Sequence, residues 1–407
     1  MSPRFTLRLG LAGIVLVALL GIGCAAVRND ELVVGEFGSL TGNDATFGIS
    51  TQRGVEVAMD ELTAKKEGKI GGLKVRVVVE DDRGMAEEAA TVVQKLINQD
   101  RVVAVLGEVA SSRSLAGGPI CQQAGVPMIS PSSTNPEVTK KGDYIFRMCF
   151  LDDFQGWVMA KFVAEDLKLK KVAVLKDVKN DYSVGLAGYF TSAFQAMGGT
   201  VVLETSYSAG DADFRAALTS IKAKRPEAVI VPGYYTEAGQ IARQARELGI
   251  TVPLIGGDGW ESEKLIEIGG EAMNGCFYSN HWALDAPDPR LQEFLKAYRE
   301  KFKGDPDAIG GLAYDAAQVL FGAMEQLATQ DPQAFQGLAS SKAGSEARKA
   351  ACQKVRDIIA ATKNSPGVTG SITLDANRDA SKPAVVIEIK DGKKIFRTSI
   401  APQNLPS

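Results

Sequence analysis

From Glu31 onward, short runs rich in β-branched residues alternate with longer stretches of helical periodicity. No other feature constrains the fold as much. Strands separated by helix-length segments cannot pair as tight hairpins; they return through crossovers and build parallel sheets covered by helices. A first series predicts strands at 32–37, 73–80, 102–106 and 127–129, with helices over 48–65, 85–99 and 111–123. After a strand at 144–150 a second series predicts strands at 172–175, 201–207, 228–231 and 254–255, with helices over 154–167, 182–197, 213–223 and 236–248. Helices at 289–302 and 312–327 and strands at 371–374, 385–389 and 394–400 complete the pattern. No sequence repeat relates the two series, so their likeness is architectural. The expected class is α/β: two doubly wound, Rossmann-like lobes joined by a multi-crossing hinge. Residues 31–149 and 281–370 are assigned to the first lobe, and 150–280 and 371–407 to the second. Residues 330–345, rich in Gln, Ser, Ala and Gly, read as a surface insertion.

Ligands of open parallel sheets bind at the carboxyl ends of the strands. Two hydroxyl clusters stand there: Ala110-Ser111-Ser112 follows one apolar run, and Ser130-Pro131-Ser132-Ser133-Thr134 follows the next. Ser111 opens a helical stretch, so its hydroxyl and the amides of a first helical turn, which lack intrahelical partners, face the crevice and favour a small anion such as a carboxylate. Taken alone, each cluster reads as an ordinary N-cap or turn. Two of them after neighbouring strands point to a site.

The chain opens with Arg4 and Arg8, an apolar stretch from Leu9 to Ile22, and small residues before Cys24. That stretch is shorter than the roughly 20 residues a bilayer span needs and reads as an export signal over 1–23. Leu20-Gly21-Ile22-Gly23-Cys24 resembles a bacterial lipoprotein cleavage box, although Gly21 stands where leucine is usual; the resemblance implies lipid attachment at Cys24, with 24–30 as linker. Removing the signal removes Arg4 and Arg8 and deepens the formal charge of −3. Nothing basic or aromatic-striped argues for nucleic acid. Cys121, Cys149, Cys276 and Cys352 remain, widely and irregularly spaced, and are expected as buried thiols rather than disulfides.

The segments Gly38-Ser-Leu-Thr-Gly42 with Phe47-Gly48, Gly107-Glu-Val-Ala-Ser-Ser112, Gly125-Val-Pro-Met-Ile-Ser-Pro-Ser-Ser-Thr134-Asn135, Asp181-Tyr182 with Gly185, Gly233-Tyr-Tyr235 and Gly256-Gly-Asp258-Gly259 resemble, in order and spacing, the leucine/isoleucine/valine-binding proteins of ABC importers, which have the type I periplasmic binding fold. The match runs from about Leu32 to the C-terminus. The resemblance implies that Ser111 and Thr134, helped by Tyr234, take an α-carboxylate, while the Ser132 carbonyl, the Thr134 hydroxyl and Asp258 take the α-ammonium. Ser133 is included with its cluster. Relatives often carry glutamate where this chain has Asp258, and the shorter arm leaves ligand identity open. Phe47 and Tyr182 are expected to wall a side-chain pocket.

Blander roles stand beside these. Asp258-Gly259 could be a solvated turn, Tyr234 and Tyr235 could be packing aromatics, and Trp260 could be a pocket lid or an ordinary core residue. His281, the single histidine, is expected at a hinge or rim. Nothing points to an enzyme: there is no G-x-G-x-x-G after a strand, no P-loop, no G-x-S-x-G elbow and no metal-ligand cluster. The expected function is extracytoplasmic capture of a small, aliphatic or branched-chain amino acid by lobe closure, with delivery to an ABC permease. No cofactor, nucleic acid or metal is implied, and a monomer is expected. The alternatives are an amide, urea or other small polar ligand on the same scaffold, or a ligand-sensing receptor subunit.

Overall fold

A computed structural model describes residues 31–282, 288–339 and 344–402; the expected export signal, linker and Cys24 lie outside them. The chain begins with β1 (Glu31–Gly38), helix α1 (Ala45–Lys66), the short β2 (Lys69–Ile70), β3 (Leu73–Asp81), α2 (Ala86–Asn98), β4 (Ala104–Leu106), α3 (Ser111–Ala124), β5 (Met128–Ser130) and β6 (Ile145–Arg147). These strands form a sheet of order β2-β3-β1-β4-β5-β6, parallel except for β2. Leu32 and Val34 feed one core, and Val33 and Phe37 feed the core on the other face. Such strands are apolar on both sides because helices cover both sides. Strand order reverses between β1 and β4, so the loops leaving these strands part and open a crevice. Glycine is required at position 48, where a Cβ would stand 2.2 Å from the Ser39 carbonyl oxygen; α1 therefore starts directly against the loop after β1.

The chain crosses at Phe150 into α4 (Asp152–Lys161), which runs on through a π-turn at Phe162–Asp166. There follow β7 (Lys171–Asp177), α5 (Asp181–Ala196), β8 (Thr200–Tyr207), α6 (Arg215–Lys224), β9 (Ala228–Ile230), α7 (Tyr235–Glu247), β10 (Leu254–Gly256), α8 (Glu263–Gly269) and β11 (Cys276–Asn280). After Trp282 it returns to the first lobe with α9 (Pro289–Phe302), α10 (Ala308–Gln330), α11 (Pro332–Phe335), α12 (Glu346–Ala360) and the hairpin β12 (Ser365–Gly367) and β13 (Gly370–Ile372). It ends with β14 (Ala384–Lys390) and β15 (Lys393–Ile400), which extend the second sheet antiparallel to give the order β15-β14-β11-β10-β9-β7-β8.

The last crossing falls later than expected. Ile372, Leu374 and Ala380 pack in the first-lobe core, Leu374 bridges Ala380, and Asp379 pairs with Arg147 at 2.6 Å. The chain therefore stays with the first lobe past residue 371 and crosses just before Ala384. The stretch expected as a surface insertion is also partly structural: α11 carries Phe335, which with Leu338 and Ala339 is buried in the first-lobe core. Cys121, Cys149, Cys276 and Cys352 are buried and unpaired. Among the described residues no helix is long and apolar enough to cross a membrane.

Candidate functional site

The carboxyl ends of both sheets face one another across a cleft lined by Phe47, Val109, Ser111, Ser132, Thr134 and Ile309 from the first lobe and by Tyr182, Tyr234, Asp258 and Gly259 from the second. Each polar member follows a strand: Ser111 after β4, Ser132 and Thr134 after β5, Tyr182 after β7, Tyr234 after β9 and Asp258 after β10. The lobes are drawn together here, and the free volume among these side chains is about 10 Å³, close to the room of one water. A larger guest needs the lobes to part. Direct contacts hold them: the Asp181 N–H donates to Ser112 Oγ at 3.0 Å, Asn135 Nδ2 donates to the Asp181 carbonyl at 3.0 Å, the Thr46 N–H donates to Tyr235 Oη at 3.2 Å, and Thr236 Oγ1 donates to the Asn43 carbonyl at 2.7 Å. Phe47, Val109 and Ile309 leave the first lobe to join the core cluster of the second.

One end of the cleft carries hydroxyls and the start of a helix. Ser111 begins α3, where the helix dipole favours negative charge. Tyr234 Oη is buried, with the Asn180 side chain beside it as a polar neighbour; Asn180 Oδ1 accepts from the N–H groups of Tyr182 and Ser183 at 3.0 and 3.4 Å. Behind them Arg113 is buried, with its guanidinium 6.0 Å from the Tyr234 ring. It pairs with Asp44, donates to Ser39 Oγ at 2.7 Å and lies 3.3 Å from Glu108 Oε1. Burial, aggravated by Asp82 and relieved by Arg113, pushes the Glu108 carboxyl up to about 8. With that carboxyl protonated, less of the arginine's charge is cancelled.

The opposite end holds carboxylates. Asp258 Oδ1 accepts from Gln155 Nε2 at 2.7 Å, and Oδ2 lies 2.9 Å from His281 Nε2 and 3.5 Å from Ser132 Oγ. Tyr182 Oη donates to Gln155 Oε1 at 3.4 Å and accepts from the Gly259 N–H at 3.1 Å. Asp152, whose N–H donates to the Thr134 carbonyl at 2.9 Å, has both carboxylate oxygens buried without a hydrogen bond. Burial, and then the nearby Asp258, holds its carboxyl well above the usual range. Between the two ends runs an aromatic wall: Tyr182 stacks on Tyr234 with centroids 5.5 Å apart, and Phe47 meets Tyr234 edge-on at 5.2 Å. Gly259 must lack a side chain, since a Cβ there would lie 2.8 Å from Tyr234 Cδ1 and from the Gly233 carbonyl oxygen.

Ser111, Ser132, Thr134, Phe47, Tyr182, Tyr234 and Asp258 line one cleft. Ser133 does not join them. Its Oγ lies 2.9 Å from the Glu108 carbonyl, 3.0 Å from that of Val109 and 2.7 Å from Ser114 Oγ, and its N–H donates to Ser130 Oγ at 2.9 Å. Those bonds tie the β4 and β5 loops together, and consecutive residues of a turn point opposite ways. Trp260 is a core residue rather than a lid, fully buried with Nε1 donating to the Val231 carbonyl at 3.0 Å. Tyr235 is an inter-lobe contact. The residues missed are Gln155, Asp152, Ile309 and the grip of His281 on Asp258; they arrive from a helix start, a distant helix and a crossing, and no local motif marks them.

A family model described as periplasmic binding protein matches residues 31–394. An amino acid binding protein of Pseudomonas aeruginosa is 33% identical over 331 residues, covering 80% of this chain and 86% of that protein. The crystal structure of a leucine binding protein, LivK, from Thermotoga maritima superposes with a TM-score of 0.83 at 36% identity, covering 92% of this chain and all (100%) of that one. The branched-chain amino acid transporter substrate binding protein LivJ from Streptococcus pneumoniae, solved in complex with isoleucine, gives 0.80 at 32% identity over 91% of this chain and 99% of that one. With its fold, its paired lobes and nearly all its described length accounted for in this way, the chain belongs to the periplasmic binding protein family.

Proposed function

We propose that the protein captures a small zwitterionic amino acid with an aliphatic or branched side chain between its lobes and delivers it to an ABC permease, without chemistry on the ligand. The observation that carries this reading is the polarity of the cleft: hydroxyls and a helix start at one end, carboxylates at the other and aromatic rings between. The α-carboxylate meets Ser111, Thr134 and the buried hydroxyl of Tyr234. The α-ammonium meets Asp258. Gln155, His281 and Ser132 approach the Asp258 carboxylate, and the Tyr182 hydroxyl stands near the same group, so an arriving ammonium joins a ring of donors already facing it. Phe47, Tyr182 and Ile309 surround the side chain. Because the contacts come from both lobes, they are complete only in the closed state, and binding free energy is spent on closure. The relatives named for leucine, and the one holding isoleucine, support this ligand class.

Calorimetric titration with leucine, isoleucine and valine tests the reading, using wild type and Asp258→Asn. Asp258→Asn should weaken binding by about 2–5 kcal/mol, since an ammonium loses its buried partner, and leucinamide should bind far more weakly than leucine. Equal affinity for leucine and leucinamide, or an unchanged Asp258→Asn affinity, refutes the orientation. The same reading places the protein outside the cytoplasm as a monomer tethered through Cys24. An intact mass lacking acyl chains on a mature N-terminal Cys24, from bacteria that process lipoproteins, would remove the tether.

A further inference from the structure

His281 is the only histidine of the chain and it is buried against the amine end of the cleft. Its Nε2 stands 2.9 Å from Asp258 Oδ2 and 3.2 Å from Ser132 Oγ, and its ring lies on Phe150 with centroids 4.0 Å apart and planes 31° apart. An ionised carboxylate can only accept, so Nε2 carries the hydrogen toward Asp258. Nδ1 is buried with no partner among the described residues, so Asp258 is the group that rewards a positive charge on this ring. We propose that His281 is a positioning residue that couples capture of an amine to loss of a proton, so that ligand affinity falls as the medium acidifies.

The argument is one of charge at a shared oxygen. With a neutral imidazole the His281–Asp258 pair carries one negative charge, and an arriving ammonium is attracted. With an imidazolium the pair is neutral, and the ammonium meets a like charge in a water-poor cleft. Linkage makes the effect reciprocal: whatever protonation of His281 costs the ligand, the bound ligand costs the proton. The sign follows. Acid favours the protonated, ligand-poor form, and affinity is highest above the imidazole's titration. Histidine is the side chain whose ordinary titration falls in this range. The other titratable or charged groups facing this region are Asp152 at the start of α4, Tyr182 on α5, Arg147 on β6 with its partner Asp379, Cys149 just beyond it, and Lys382 on the last crossing with its partner Asp315. Burial raises the Tyr182 hydroxyl and the Cys149 thiol away from neutrality and lowers the Lys382 ammonium, which its neighbour Asp315 partly offsets. Asp152 is the serious competitor, because a protonated acid that ionises when an ammonium arrives produces the same sign.

This inference rests on the reading that Asp258 receives the amine, and the test separates the two. L-Leucine is titrated into tag-free wild type, His281→Gln, Asp152→Asn and Asp258→Asn between about pH 5 and pH 8. Glutamine keeps an N–H donor toward Asp258 but does not titrate. For wild type and Asp152→Asn the Kd should rise about tenfold or more on going to the acid end, while for His281→Gln it should change less than about threefold. A flat wild-type profile overturns the proposal, and so does a slope that survives in His281→Gln but vanishes in Asp152→Asn. Should Asp258→Asn bind leucine as wild type does, the amine assignment fails whatever the profiles show. If His281→Gln does not fold, the single imidazole signal of histidine-labelled wild type decides. Its titration midpoint should move to lower pH when leucine saturates the protein, and an unmoved midpoint refutes the coupling.

Discussion

Replacing Phe47 by alanine should weaken ligand capture far more than it weakens the fold. The ring belongs to α1 of the first lobe, yet it is buried to 1% exposure within the core cluster of the second lobe, so its burial is gained when the lobes close. Removing a fully buried phenylalanine side chain costs about 1.5–3 kcal/mol in transfer free energy. The edge-on pairs with Tyr234 and Tyr235, each with centroids 5.2 Å apart, add about 0.5–1.5 kcal/mol apiece. A loss of about 3 kcal/mol from the closed state alone raises the Kd for leucine roughly 100-fold. The open lobes lose little, so the melting temperature without ligand should stay within about 2 °C of wild type. Calorimetry and differential scanning, with solution scattering to follow closure, measure both quantities. If the melting temperature falls as for an ordinary core truncation while the Kd is unchanged, Phe47 is buried independently of closure and the reasoning is wrong.

Ser133→Ala should do the opposite, costing about 1–3 kcal/mol of stability by removing the hydroxyl that contacts the Val109 carbonyl and Ser114 Oγ while changing the Kd for leucine less than about threefold; a larger loss of affinity would return Ser133 to the site. Burial, with Glu56 nearby, pushes the Glu36 carboxyl up to about 8, so between about pH 4.5 and pH 8 the native state holds a proton that the unfolded chain has released. Stability therefore falls as pH rises through that window. Glu36→Gln should match wild type near pH 4 and exceed it by up to about 5 kcal/mol near pH 8, and a difference that does not vary with pH in denaturant melts would exclude Glu36 as the source.

What could be read from the residues, and what could not, divides along range. The strands of both lobes announce themselves because a parallel strand buried on both faces carries a run of apolar residues, as Leu32–Val34 in β1 and Val172–Leu175 in β7 do. The hydroxyl clusters are legible because the carboxyl end of a strand is a fixed address in such a sheet. By contrast, the alternation at 371–374 is the same whichever lobe receives it, and only the docking of Ile372 and Leu374 decides. Ser132 and Ser133 are neighbours of one type, and the turn alone sends one into the cleft and the other beneath it. His281 and Asp258 are 23 positions apart and meet because β10 and β11 lie side by side; neither carries a local sign of the other.

The late return of the chain to the second sheet also bears on how the molecule is made. Strand β11 pairs with β14, whose partner is β15, and both follow every other described element of the two lobes along the chain. Until they emerge, the second lobe has an unpaired edge along Cys276–Asn280, with the apolar Phe277 and Tyr278 beside it. Such an edge is a template for pairing with another chain. Neither lobe is a contiguous stretch of polypeptide, so neither can be finished early and set aside. A nascent chain halted before Ala384 would carry a complete first sheet beside an open second one, and its hazard would be self-association rather than failure to collapse.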